Sequence, residues 1–199
     1  MLPFLLTLHF FLRTDENSLA GGPYNRKATK TATIVDKTIL LAGQSRLRQK
    51  EKIVTSDYTT AYTVDQTPEE VFAAINNVRG WWSGNIEGNT DKLGDEWTYR
   101  YEDIHYSKQK IVELTPGRKV VWRVLDGYLK FVEDKTEWAA TTITFDIAQK
   151  DDKTELRFTH VGLVPEVECY GACTNAWSFY INDSLRSLIT TGKGEPNEP

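Results

Sequence analysis

Polar and apolar residues alternate from Tyr58 to Val64. Tyr58, Thr60, Tyr62 and Val64 fall on one side and Thr59, Ala61 and Thr63 on the other, the period of two that marks a strand. The period then changes. Thr67-Pro68-Glu69-Glu70 supplies an N-cap, a proline at the first helical position and two acids where the helix dipole favours them. Val71, Phe72, Ala74 and Ile75 follow at helical spacing, so a helix is expected to run to Asn77–Gly80, ahead of the pair Trp81-Trp82. Gly84, Gly88 and Gly94 mark turns.

Five further strands are expected over Glu96–Glu102, Tyr106–Leu114, Lys119–Leu125, Ala140–Ala148 and Thr154–Val161, the second and third joined by a tight turn at Thr115-Pro116-Gly117-Arg118. One face gathers Trp97, Tyr99 and Tyr101, then Val120, Trp122 and Val124, then Ile143, Phe145 and Ile147, then Leu156, Phe158 and His160. Thr98, Arg100, Arg123, Thr144, Asp146, Glu155 and Arg157 face the other way, the pattern of an antiparallel sheet covered on one side. A helix from Pro165 to about Thr190 supplies the cover through Tyr170, Cys173, Trp177, Ile181 and Leu185. The predicted fold is α+β, a curved antiparallel sheet wrapped around a long C-terminal helix. The segment from Asp126 to Glu137, with Tyr128, Leu129, Phe131 and Val132 beside charged residues and followed by Trp138, reads either as a lid or contact surface or as a hairpin packed on its own sheet.

Length fits one domain, and charge divides the chain. Residues 1–56 carry a balance of +5 and the remainder −9, within a total of −4. An acidic domain repels phosphate backbones, so no nucleic-acid partner is expected. Residues 1–56 read as a poorly structured N-terminal extension, 57–193 as the folded domain and 194–199 as a flexible tail. The apolar run Leu2–Leu12 is too short to span a bilayer and admits three readings: a weak signal peptide, a short anchor, or an extension outside the functional protein. No stable membrane insertion is expected. Two cysteines, Cys169 and Cys173, make no disulfide framework, and a reducing, cytoplasmic setting fits them.

Several stretches together resemble a known family: Thr67–Ile75, Trp81-Trp82-Ser83-Gly84, Gly94–Tyr99, Ile111–Trp122, Thr142–Phe145, Thr154–His160 and Ser184–Leu188. Their order, over residues 57 to 193, is similar to that of the START-related helix-grip (SRPBCC) superfamily, and within it to the homologues of the heat shock protein 90 ATPase activator. The resemblance implies a pocket between sheet and helix for apolar or amphipathic small molecules, and in some relatives a cyclase-type reaction.

On that footing Trp82, Trp97, Tyr99, Trp122, Phe145, Phe158, Cys173 and Trp177 are expected as ligand-binding walls, with His160 or a tyrosine hydroxyl orienting the ligand. The same rings can equally fill a solid core. His160 also reads as a satisfied group at a strand end, and Cys173 as a small apolar wall residue rather than half of a metal site. No nucleophile elbow and no phosphate-binding glycine loop occurs, so no catalytic residue, metal or cofactor is assigned. Three functions stand in order: binding of a small hydrophobic molecule, a co-chaperone-like module touching a chaperone through its acidic surface and the 126–137 loop, and a cyclase or hydratase using His160.

Overall fold

The computed structural model describes residues 56–83 and 85–196. The leader readings, the turn at Gly84 and the last three residues of the tail lie outside that range. Strand β1 (Tyr58–Val64) leads through the Thr67 cap into α1 (Pro68–Asn76) and a short 3-10 turn, Val78–Gly80. Strands β2 (Ile86–Gly88), β3 (Glu96–Tyr101), β4 (His105–Thr115), β5 (Lys119–Leu129), β6 (Thr142–Lys150) and β7 (Lys153–Val161) follow. The chain closes with α2 (Tyr170–Ser178), a π-helical stretch over Phe179–Leu185 and α3 (Arg186–Thr191), which together form one long helix.

The start of α1 follows from local chemistry. The Glu70 amide donates to Thr67 Oγ1 at 3.3 Å and the Thr67 amide donates to Glu70 Oε2 at 2.8 Å, so two otherwise orphaned donors are satisfied reciprocally. All seven strands form one antiparallel sheet in the order β1-β7-β6-β5-β4-β3-β2. The long β4–β5 pair carries register shifts at Lys108/Gln109 and Ile111/Glu113. Such bulges bend a sheet, which is what wrapping a helix requires. The fold is thus the expected α+β helix grip.

Alternation along the strands places Trp97 and Tyr99, Val120, Trp122 and Val124, Ile143, Phe145 and Ile147, and Leu156, Phe158 and His160 on the buried face. All six tryptophans of the sequence are buried.

Four elements depart from the sequence reading. Strand β2 is new: Gly88, at φ +104°, lies so close to β3 that a Cβ there would sit 2.4 Å from the Glu96 carbonyl oxygen. Only a glycine lets this short edge strand pair. Strand β5 runs on to Leu129, because Tyr106, Ser107 and His105 of β4 pair with Tyr128, Gly127 and Leu129. Strand β6 begins at Thr142, two residues later than expected, after Ala140 has turned at φ +64°.

The closing helix begins at Tyr170 and not at Pro165. The preceding turns are held by Val167 N–H on the Val164 carbonyl and Tyr170 N–H on that of Val167, both at 3.1 Å. Its π-helical stretch buries both Tyr180 and Ile181, and also Ser184, whose hydroxyl donates to the Trp81 carbonyl at 2.7 Å.

Candidate ligand cavity

A cavity of about 320 Å³ opens at one end of the sheet, between β3, the start of β4, the strap of residues 130–141 and α2. Five aromatic side chains form a closed circuit in its wall. Tyr99 lies 5.0 Å from His105, His105 4.5 Å from Trp138, Trp138 5.7 Å from Trp177, Trp177 4.9 Å from Trp82, and Trp82 4.6 Å from Tyr99, all between ring centroids. Two edge-to-face contacts, both made by His105, two stacked contacts and one tilted contact close this ring, which fixes each side chain through two neighbours. Tyr101, Ile104, Phe131, Ala172, Cys173, Ala176 and Tyr180 complete the lining. Phe131 and Tyr101, 51% and 39% exposed, sit at the mouth.

Of the nine residues expected as ligand contacts, Trp82, Tyr99, Cys173 and Trp177 line the cavity, and Trp97, Trp122, Phe145, Phe158 and His160 do not. Those five form the layer beneath. Trp97 meets Trp82 edge-on at 5.5 Å and Trp122 at 5.1 Å, Trp122 meets Phe145 at 4.8 Å, and Phe158 meets Trp177 at 4.8 Å. In this layer the aromatic rings interlock.

His160, expected to orient a ligand, has both ring nitrogens committed to the protein. Trp177 Nε1–H donates to its Nδ1 at 3.0 Å. An indole nitrogen can only donate, so Nδ1 carries no proton and Nε2 must. Nε2–H then donates to Thr141 Oγ1 at 2.9 Å, and the Thr141 hydroxyl donates to the Trp138 carbonyl at 2.7 Å. This directed chain ties Trp177 on the helix to Trp138 on the strap. Burial, reinforced by the nearby His105, pushes His160 down to about 3, so it stays neutral.

The histidine in the cavity wall is His105, the first residue of β4, which sequence spacing gave no reason to single out. Burial pushes it down to about 4, and its Nε2 is buried with no partner in the protein. Trp138 and Phe131 come from the segment whose apolar residues signalled a lid or a packed hairpin. In the structure the end of β5 pairs with β4 as a hairpin, and the remainder forms the strap.

The strap is clasped to the start of the helix by paired carboxylates. Glu137 accepts from the Glu168 and Cys169 amides at 2.6 and 2.9 Å, and Glu168 accepts from the Glu133 amide at 2.6 Å. Trp138 Nε1–H reaches Cys173 Sγ at 3.3 Å. Both cysteines are free, and a hydrogen bond from the Cys169 thiol to Cys173 raises Cys169 and lowers Cys173. Among the described residues no group of three His, Cys, Asp or Glu side chains could hold a metal ion, and no helix is long and apolar enough to cross a membrane.

The model of the family described as activator of Hsp90 ATPase homolog 1-like protein matches residues 65–190. A search of the curated proteins finds no match. Among solved structures, the chain is similar to the Aha1 dimer from Colwellia psychrerythraea, at 22% identity and a TM-score of 0.56, over 70% of this chain and 99% of that one. It is also similar to SSP2350 from Staphylococcus saprophyticus, at 17% identity and TM-score 0.53, over 72% and 98% of the two chains. DynU16, of the dynemicin biosynthetic locus, matches at 13% identity and TM-score 0.51, over 68% of this chain and 48% of that one. At these identities the likeness is one of fold.

Proposed function

The chain belongs to the activator of Hsp90 ATPase homolog 1-like family, and from that premise we propose that its cavity binds one small apolar or amphipathic molecule. The observation that carries this reading is the aromatic circuit Tyr99–His105–Trp138–Trp177–Trp82 around about 320 Å³ of free space. That volume is at the lower end of the range for small-ligand sites, roughly 300–1,000 Å³. Flat apolar walls reward a flat apolar ligand. His105, with its unpaired Nε2, is the polar group that would orient the ligand, in the role first expected of His160.

Ala172 and Ala176 line the cavity from exposed positions on the helix, so enlarging either fills the space without disturbing the buried layer. Native mass spectrometry of chain purified from its own host is expected to retain a small molecule. Titration with the fluorescent naphthalene dye 1-anilinonaphthalene-8-sulfonate is expected to quench tryptophan emission, and Ala176→Trp should weaken dye binding about tenfold or more. Retention of neither host molecule nor dye by the folded chain would end this reading.

A second reading is a chaperone-contact module. Support comes from the family description and from exposed Tyr128 and Phe131, 41% and 51% accessible, at the end of β5 and the start of the strap. Stimulation of the host chaperone ATPase, lost in Phe131→Asp, is the result it requires. The cyclase or hydratase reading placed its acid–base group at His160, and both nitrogens of that ring are bonded within the protein.

A further inference from the structure

Building on the cavity reading, we infer that Cys173 is a reactive thiol to which the cavity couples an apolar electrophile of the α,β-unsaturated carbonyl class. Cys173 forms part of the cavity wall, whereas Cys169, 1% exposed, does not. The Trp138 indole N–H donates to the Cys173 sulfur at 3.3 Å, and the free thiol of Cys169 beside it is a second, weaker hydrogen-bond donor. Cys173 also lies one turn into α2, at the end of the helix where backbone dipoles favour negative charge. Each of these stabilises thiolate over thiol. Opposing them are burial and the carboxylate of Glu137, whose oxygens already accept from the Glu168 and Cys169 amides. The balance holds Cys173 below the ordinary thiol range, while Cys169, as the donor of the pair, is raised.

A second observation points to the ligand's other end. His105 lines the same cavity with Nε2 buried and unpaired, and in its Nε2–H form it offers a hydrogen bond that nothing in the protein accepts. A carbonyl oxygen is the complement. When the thiolate attacks the β-carbon, negative charge moves to that oxygen, where a preset N–H stabilises it. The Sγ–C bond forms as the C=C π bond breaks, the thiol proton passes to solvent, and a solvent proton returns to the α-carbon. Nothing is oxidised or reduced, and no co-reactant is needed. The aromatic walls select a flat, uncharged electrophile over a charged one.

The test uses the full folded chain with N-phenylmaleimide as the apolar probe and iodoacetate as the charged comparison, followed by intact mass and peptide mapping. One maleimide adduct on Cys173 is expected, forming about tenfold or more faster than any on Cys169, and absent from Cys173→Ser. Trp138→Phe removes the indole donor and should slow the reaction and raise the pH midpoint of its rate, a shift that a purely steric wall would not give. Labelling that needs denaturant, that divides equally between the two cysteines, or that favours iodoacetate would overturn the inference. Dye binding separates the two claims. An unreactive Cys173 in a chain that still binds 1-anilinonaphthalene-8-sulfonate refutes the covalent step alone, and loss of dye binding removes the cavity reading together with it.

Discussion

The indole of Trp177 donates to Nδ1 of His160 at 3.0 Å, and this one bond fixes the tautomer of a histidine buried beneath the cavity floor. Because His160 passes its own proton to Thr141, and Thr141 donates to the backbone of Trp138, two walls of the cavity are held by one polar chain. The groups are fully paired in an apolar layer. Networks of that kind cost little while complete and a great deal when broken.

Trp177→Phe leaves His160 Nδ1 buried without a donor, so it is expected to destabilise the domain by about 1–3 kcal/mol. Combined with His160→Phe, the loss should be less than the sum of the two single changes, since the orphaned nitrogen has gone. Urea unfolding of the four proteins measures this. Strict additivity would mean that the bond contributes nothing.

Stability should depend on pH through His160, which is buried, and His105, which is partly buried. Both are held below their ordinary value of 6.5, His105 at about 4 and His160 at about 3. The unfolded chain therefore binds more protons than the folded one in that window. Stability is complete above pH 6.5 and falls as pH drops from there towards 4, with a limiting slope of about 1.4 kcal/mol per pH unit for each histidine. His105→Phe should remove one histidine's share of the slope, and a flat profile between pH 7 and 4.5 would contradict the lowered position of both.

Glu137→Gln weakens the clasp on the Glu168 and Cys169 amides, where two charge-assisted hydrogen bonds hold the strap to the helix. The expected cost is roughly 1–2 kcal/mol. More informative is where the change is felt. Amide exchange should quicken across the strap and the first turn of α2, and acrylamide should quench Trp138 more readily, while β6 and β7 keep their protection. Uniform acceleration throughout the domain would show that the clasp is not local.

Thr67→Ala removes the hydroxyl half of the capping box and is expected to cost about 1 kcal/mol, without altering dye binding in the distant cavity. Equilibrium unfolding paired with dye titration checks both parts.

How far the site was legible follows from the residues themselves. Trp97, Tyr99, Trp122, Phe145 and Phe158 alternate inward on their strands, and that period is written in the sequence. Whether an inward ring meets space or another ring is not. Tyr99 reaches the cavity while Trp97, two residues earlier on the same face of β3, is sealed between Trp82 and Trp122. His160 was visible as an inward histidine, but its partners Trp177 and Thr141 are 17 and 19 residues away, and only their approach shows the ring to be structural. His105 and Trp138 escaped notice as site residues because each lies just outside a regular strand pattern.

Apart from the short edge strand β2, the order of strands and helices, the cap at Thr67 and the inward face of the sheet were determined by the sequence alone, because they rest on local periodicity and on side chains acting within a few residues. The free volume, the five-ring circuit around it and the pairing of both His160 nitrogens within the protein were decided by tertiary structure. They depend on how the bulged β4–β5 pair, the strap and a closing helix with a π-helical stretch come together, and no local pattern encodes distances between segments so far apart in the chain.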